Sequence, residues 1–212
     1  MEIHLGKVEN TMLLEDLLNE YILELQVKNC SPATIRSYKN NLLKFIGFLE
    51  LDLEEVRTVH IKEYILHLQS KGLKATYINT IIKHIRGLFN YAWEEEYINT
   101  NIANKVKFLK EITPVIETFN EGEIRAMLDY YKGKDFLSIR NKLIVSMLFD
   151  TGMRAGELIN IKLQDLNGNS LLVHGKGQKE RLLTISPALE KLIMKYMRVR
   201  RSNSEYLFLS CK

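Results

Sequence analysis

Through four successive segments between Leu14 and Trp93, apolar residues recur three and four positions apart. That spacing puts one apolar stripe on each segment, and such a chain satisfies its stripes only by packing helix against helix. Leu14, Leu17, Leu18, Tyr21, Ile22 and Leu25 mark the first helix, which ends near Asn29. Ser31-Pro32 then reads as an N-cap followed by proline at the first helical position, where its missing N–H costs nothing. Ile35, Tyr38, Leu42, Phe45 and Leu49 form the second stripe. Thr58 reads as the cap of a third helix through Ile61, Ile65 and Leu68, stopped by Lys71-Gly72. The fourth helix starts about Ala75 and repeats through Ile78, Ile81, Ile82, Ile85, Leu88, Phe89, Ala92 and Trp93, with Asn79, Lys83, Arg86 and Asn90 on its polar face. The short links favour antiparallel neighbours. After a tail over 1–11, a four-helix domain over 12–103 is expected, and then a basic linker over 104–116, where periodicity fades around Lys105, Lys107, Lys110 and Pro114.

The second half, 117–212, mixes periods. Asn120 and Glu123 have capping-box spacing ahead of Ile124, Met127 and Leu128. Phe136 to Asp150 is apolar nearly all round, which predicts the buried centre of this domain. Thr151-Gly-Met-Arg-Ala-Gly-Glu-Leu158 reads as a glycine turn feeding a short helix. Ser170–His174 and Arg181–Ile185 are strand-like runs joined by Gly175-Lys-Gly-Gln-Lys-Glu180, a β-hairpin with a cationic tip. A helix over 187–201 ends in Arg198, Arg200 and Arg201, and Tyr206–Leu209 is a last strand-like run. The fold class is therefore mainly α with a small antiparallel β-sheet.

The net charge of +4 carries little meaning as a total, but its distribution does. Residues 113–212 hold 16 Lys and Arg against 11 Asp and Glu; in 62–86, Lys62, Lys71, Lys74, Lys83 and Arg86 face a single acid, Glu63. Segregated charge of this kind builds a basic face on a nearly neutral protein, and a solvated helix surface has the same composition. No apolar run has spanning length and no basic cap precedes an apolar run at the start, so a soluble, cytoplasmic protein is expected. Cys30 and Cys211 are far apart and suggest neither a disulfide framework nor zinc.

Arg154 is the strongest candidate for chemistry. It follows the glycine turn and opens the next helix, and its planar, permanently charged fork suits two phosphate oxygens. Glu157, three residues on, shares its helix face and could hold the guanidinium; an ordinary Arg–Glu surface pair has the same spacing. Lys176, between two glycines at the hairpin tip, could reach a scissile phosphate and protonate a departing oxygen. A solvated turn is the alternative. Lys179 and Arg181 would add contacts to the nucleic-acid backbone. His4, His60, His67, His84 and His174 show no metal spacing, with His67 and His84 expected on solvated faces. No P-loop, His-Glu-x-x-His or Gly-x-Gly-x-x-Gly occurs, nor a carboxylate cluster for paired Mg²⁺; no cofactor and no metal are expected.

Thr151–Leu158, followed by Lys176 in Gly-Lys-Gly-Gln-Lys-Glu-Arg, resembles the first arginine box and hairpin lysine of the tyrosine recombinases, the phage and transposon integrase family. Ser31-x-x-Thr34-x-x-x-Tyr38-x-x-x-Leu42-x-x-Phe45 resembles the second helix of that family's core-binding domain, and Asn120–Leu128 is similar to the opening helix of its catalytic domain. The resemblance spans about residues 12–209. It implies a four-helix core-binding domain plus part of an α+β catalytic domain, the pair clamping double-stranded DNA, with a tetramer assembling on the DNA. It also implies strand cleavage and rejoining through a 3′-phosphotyrosyl intermediate without metal or cofactor. Carried over by position, Arg154 is the first catalytic arginine, Glu157 its supporting acid and Lys176 the general acid. DNA contacts, mostly to phosphates, are expected from Thr34, Arg36, Lys39, Lys83, Arg86, Lys179 and Arg181. The family's His-x-x-Arg box and nucleophilic tyrosine fall beyond the strand resembling Tyr206–Ser210. A truncated chain is therefore expected, one that binds DNA without completing cleavage and has neither Tyr196 nor Tyr206 as nucleophile. Two alternatives stay open: a non-catalytic regulator occupying recombination sites, and a helical protein-interaction module.

Overall fold

The four apolar stripes of the first half become four helices, α1 (Leu14–Val27), α2 (Pro32–Leu49), α3 (Thr58–Ser70) and α4 (Ala75–Glu94). The computed structural model describes residues 12–112, 115, 117–175, 177 and 179–209; the tail 1–11, Lys176 and Cys211 lie outside the described residues. It divides into two units, Met1–Pro114 and Val115–Lys212. In the first, Ser31 Oγ accepts the Thr34 N–H at 3.2 Å and Pro32 takes the first helical position. Thr58 is not a cap. Arg57 holds that position, its N–H donating to His60 Nδ1 at 3.2 Å, while the Thr58 hydroxyl is spent on the Ile102 carbonyl at 2.9 Å. Gly72, at φ +72°, reverses the chain after α3, a conformation glycine adopts without a Cβ penalty. The core is built by Leu17, Leu42, Phe45, Ile61, Ile82 and Phe89, all essentially without exposure.

The polar face expected on α4 is largely a packing surface. Residues 104–111, expected as linker, lie against it: Ala103 and Val106 are buried in the helical core. Asn79, only 4% exposed, accepts the Leu109 N–H at 2.8 Å and donates to the Leu109 carbonyl and to Glu111 Oε1. Arg86 donates to the Val106 carbonyl and lies 4.3 Å from the Phe108 ring centre. His84 is likewise buried rather than solvated. Its ring lies 4.0 Å from that of Tyr38, and Asn41, which accepts from the Tyr77 hydroxyl, is 3.0 Å from its Nδ1. Burial lowers the His84 pKa, so the neutral ring is held in this apolar setting. His67 is half-buried beside Phe48.

The second unit comprises α5 (Glu121–Tyr130), α6 (Phe136–Thr151), α7 (Ala155–Leu158), β1 (Leu166–Asn167), β2 (Ser170–His174), β3 (Glu180–Thr184) and α8 (Pro187–Val199). The capping box at Asn120 and Glu123 forms reciprocally, at 3.0 and 2.8 Å. On α6 only Ile139, Leu143 and Met147 are fully buried, and Phe149 is 39% exposed. The helix is not a buried centre, because its neighbours cover one side well and α5 buries no residue fully. The sheet is antiparallel in the order β1-β2-β3, with Leu171 opposite Leu183 and Val173 opposite Arg181; β1 had no period-2 signal to announce it.

The last strand-like run forms one bridge, Lys162 to Tyr206, rather than a strand. Leu207 is buried and its N–H donates to the Ile161 carbonyl at 2.8 Å. Helix α8 stops at Val199, short of the expected 201. Arg200 turns inward, its guanidinium gathering the carbonyls of Ser202, Ser204, Tyr206 and Leu207 at 2.6–3.1 Å. Among the described residues no helix is long and apolar enough to cross a membrane.

Candidate phosphate-binding site

The turn after α6 is set by Gly152 at φ +63°, whose N–H returns to the Leu148 carbonyl. Three residues of tight geometry then bring Arg154 and Glu157 together. The Glu157 carboxyl accepts the Arg154 backbone N–H at 2.9 Å on Oε2 and Arg154 Nη1 at 3.0 Å on Oε1. The two side chains have opposite exposures: that of Glu157 is 7% exposed and that of Arg154 79%. A buried carboxylate therefore anchors a guanidinium that leaves most of its fork in solvent.

A second arginine completes the group. Arg181 on β3 reaches Glu157 with both terminal nitrogens, Nη1 to Oε1 at 3.0 Å and Nη2 to Oε2 at 2.8 Å. Four N–H groups thus fill the roughly four acceptor positions of one carboxylate. The Arg181 hydrogen bonds, then that of the Arg154 backbone, pull the Glu157 pKa down to about 2, so the group stays ionised at any physiological pH. The cluster, two guanidinium ions on one carboxylate, carries one net positive charge, and that charge is presented by Arg154. Gly175 lies against the cluster: a Cβ there would sit 3.1 Å from the Lys179 carbonyl and 3.6 Å from Glu157 Oε1.

The other candidate residues are placed unevenly. Arg36 and Lys39 are exposed three residues apart on α2, Lys83 is exposed on α4, and Lys179 is exposed beyond the hairpin turn. Among the described residues, none of these four forms an ion pair. Thr34 is half-buried, its hydroxyl 2.9 Å from Ser31 Oγ in the cap. Arg86 is engaged in holding residues 106–108 to α4, and Arg181 in holding Glu157. Lys176 lies outside the described residues. Tyr196 is fully buried beside Phe136 and Phe208; Tyr206 lies beside the Lys162 ammonium.

One group escaped the sequence reading. The β2–β3 register places His174 opposite Glu180, with Nδ1 3.0 Å from Glu180 Oε1 and Nε2 3.2 Å from Oδ1 of the buried Asp165. The Asp165 hydrogen bond, its charge and then Glu180 raise the His174 pKa. The stabilisation is therefore fully present below the unfolded value of about 6.5 and is lost as pH rises through the higher folded value. The urea midpoint followed by circular dichroism should be higher at pH 6 than at pH 8.5 by more in the wild type than in His174→Gln. Equal pH dependence in the two proteins would show that this contact contributes nothing.

The family model described as "Phage integrase family" matches residues 117–212, and "Phage integrase, N-terminal SAM-like domain" matches 18–96. The chain is 28% identical to the tyrosine recombinase XerC of Staphylococcus epidermidis, across 98% of this chain and 71% of that protein. Against XerC of Psychromonas ingrahamii the identity is 29%, across 88% of this chain and 64% of the relative. In fold it is similar to lambda integrase in a dimer bound to a COC′ core site, with a TM-score of 0.76 and 20% identity over 95% of this chain and 58% of that one. It is also similar to the Tn1549 transposon integrase in complex with circular intermediate DNA, with a TM-score of 0.67 and 18% identity over 94% and 71% of the two chains. Two family models in succession, meeting the helical unit and the unit that carries Arg154, show that this chain belongs to the tyrosine recombinase, or phage integrase, family.

Proposed function

We propose that this chain binds double-stranded DNA by its phosphates at sites of recombination or integration. Its helical unit, with 12–103 as the core-binding part, and residues 117–212 of the catalytic part both contribute. The observation that carries the reading is the Arg154 guanidinium, fixed from behind by a buried carboxylate and open in front. A fork held this way has lost little freedom left to lose on binding, and it can donate two parallel hydrogen bonds to the non-bridging oxygens of one phosphate. In strand transfer the same contact would stabilise charge developing on the scissile phosphate, with Glu157 as the orienting acid and Lys176 as proton donor to the departing 5′ oxygen. Arg36, Lys39, Lys83 and Lys179 supply contacts to neighbouring phosphates, and Thr34 a neutral one. The DNA-bound lambda integrase dimer and Tn1549 integrase support this reading, and on the pattern of that dimer more than one copy of this chain would assemble on one site.

Fluorescence anisotropy with duplex DNA across a salt series tests it. Six cations, Arg36, Lys39, Lys83, Arg154, Lys176 and Lys179, predict a log affinity falling against log salt with a slope of roughly −5. No binding even at low salt would refute the proposal and leave the helical interaction module standing. Incubation with a nicked suicide substrate separates the two DNA readings: a covalent adduct shows cleavage, and binding without one shows a site-occupying protein.

A further inference from the structure

Glu157 belongs to the short helix that follows Arg154, whereas Arg181 belongs to the strand leaving the hairpin, 24 residues further along the chain. Their paired hydrogen bonds therefore join two elements rather than brace one. Arg154 alone would be a poor partner for this carboxylate, because its side chain gives one hydrogen bond from a largely solvated position. A carboxylate with 7% exposure requires fuller pairing, and Arg181 supplies it from a side chain only 38% exposed. The consequence for charge matters more. With Arg181 absent, Glu157 and Arg154 form a one-to-one pair with no net charge, and one acceptor position on each carboxylate oxygen is free to draw in the rest of the Arg154 fork. With Arg181 in place those acceptor positions are occupied, so Arg154 keeps the outer part of its fork for a ligand. The hairpin meets the cluster at the same point, since a Cβ on Gly175 would stand in ordinary contact with Glu157 Oε1, at 3.6 Å, and the Gly175 N–H donates to the Lys179 carbonyl at 2.7 Å.

We infer that Arg181 is a positioning residue, not a DNA ligand: by occupying Glu157 from the hairpin side it releases the Arg154 fork for phosphate and fixes β3 to the arginine turn. The inference rests on the DNA-binding reading for its functional part and on geometry alone for the coupling. Two measurements on the full chain decide it. In a double-mutant cycle of duplex-DNA affinity, Arg181→Gln is expected to weaken binding roughly ten-fold in the wild-type background and by less than about two-fold in the Arg154→Ala background. Arg181→Lys, which keeps the charge but cannot bridge both carboxylate oxygens, should not restore affinity. Effects that multiply, or rescue by lysine, would overturn the assignment and make Arg181 a phosphate ligand or a simple charge.

The second measurement needs no DNA. Amide hydrogen exchange at Arg154 should accelerate in Arg181→Lys while exchange at Leu143, in the core of the same unit, stays unchanged. An unaltered Arg154 amide would overturn the coupling even if the wild type bound no DNA, and loss of protection at both positions would show that Arg181 merely braces the fold.

Discussion

Phe45→Ala is expected to cost the helical unit about 3–5 kcal/mol. Phe45 has no exposure and stands between Tyr64 of α3 and Phe89 of α4, with ring centres 5.2 and 6.4 Å away. Truncation removes the ring's transfer free energy and leaves a void that three helices line, each held by its own stripe and unable to close over it. Domains of this size are stable by only about 5–15 kcal/mol, so the change consumes a large share of the total. Trp93 is the single tryptophan of the chain and lies on α4, which makes its fluorescence a reporter of this unit. A urea midpoint that moves by an amount worth less than 1 kcal/mol would mean that the helices collapse around the vacancy, and that Phe45 is not the keystone its burial implies. The Cα positions of Arg36 and Lys39 share α2 with Phe45, so DNA affinity should fall in parallel with the folded fraction.

Arg154→Ala should weaken duplex binding by roughly ten- to a hundred-fold at fixed salt, the range expected for losing charge-assisted hydrogen bonds to one phosphate. The salt slope should become shallower by about one, because one phosphate is no longer neutralised. Stability should be nearly unaffected: the removed side chain is 79% exposed, and Arg181 keeps the Glu157 carboxylate paired. Arg154→Lys should recover the slope but not the full affinity, since an ammonium restores the charge without the bidentate fork. Unchanged affinity in Arg154→Ala would remove the residue from the DNA interface, whatever its geometry.

The helices of both units were legible because their determinants are local. A 3.6-residue period, Ser31 before Pro32 and Asn120 three residues before Glu123 each act within one turn of chain. Where a reading failed, a distant partner had claimed the residue. Thr58 looks like a cap until Ile102 is folded beside it, and Asn79 and Arg86 look solvated until residues 106–111 cover them. His84 has the spacing of a polar-face residue, yet Tyr38 and Asn41 enclose it from the neighbouring helix. The basic end of α8 hides the same ambiguity: Arg198 and Arg201 stay outside while Arg200 turns in to bind carbonyls, and nothing in a run of arginines distinguishes them.

The candidate site divides along the same line. The sequence by itself determined that Arg154 and Glu157 would share one short turn, since three residues of helix after a glycine bring their side chains together in any context. It also determined the hairpin, through two apolar runs separated by glycines. Only the tertiary structure decided that Glu157 is buried, that Arg181 pairs with it through both terminal nitrogens, and that the Arg154 fork is left open. The reason is that a carboxylate's burial and its second partner depend on which strand the chain lays over it, and β3 meets α7 only when the whole unit has closed.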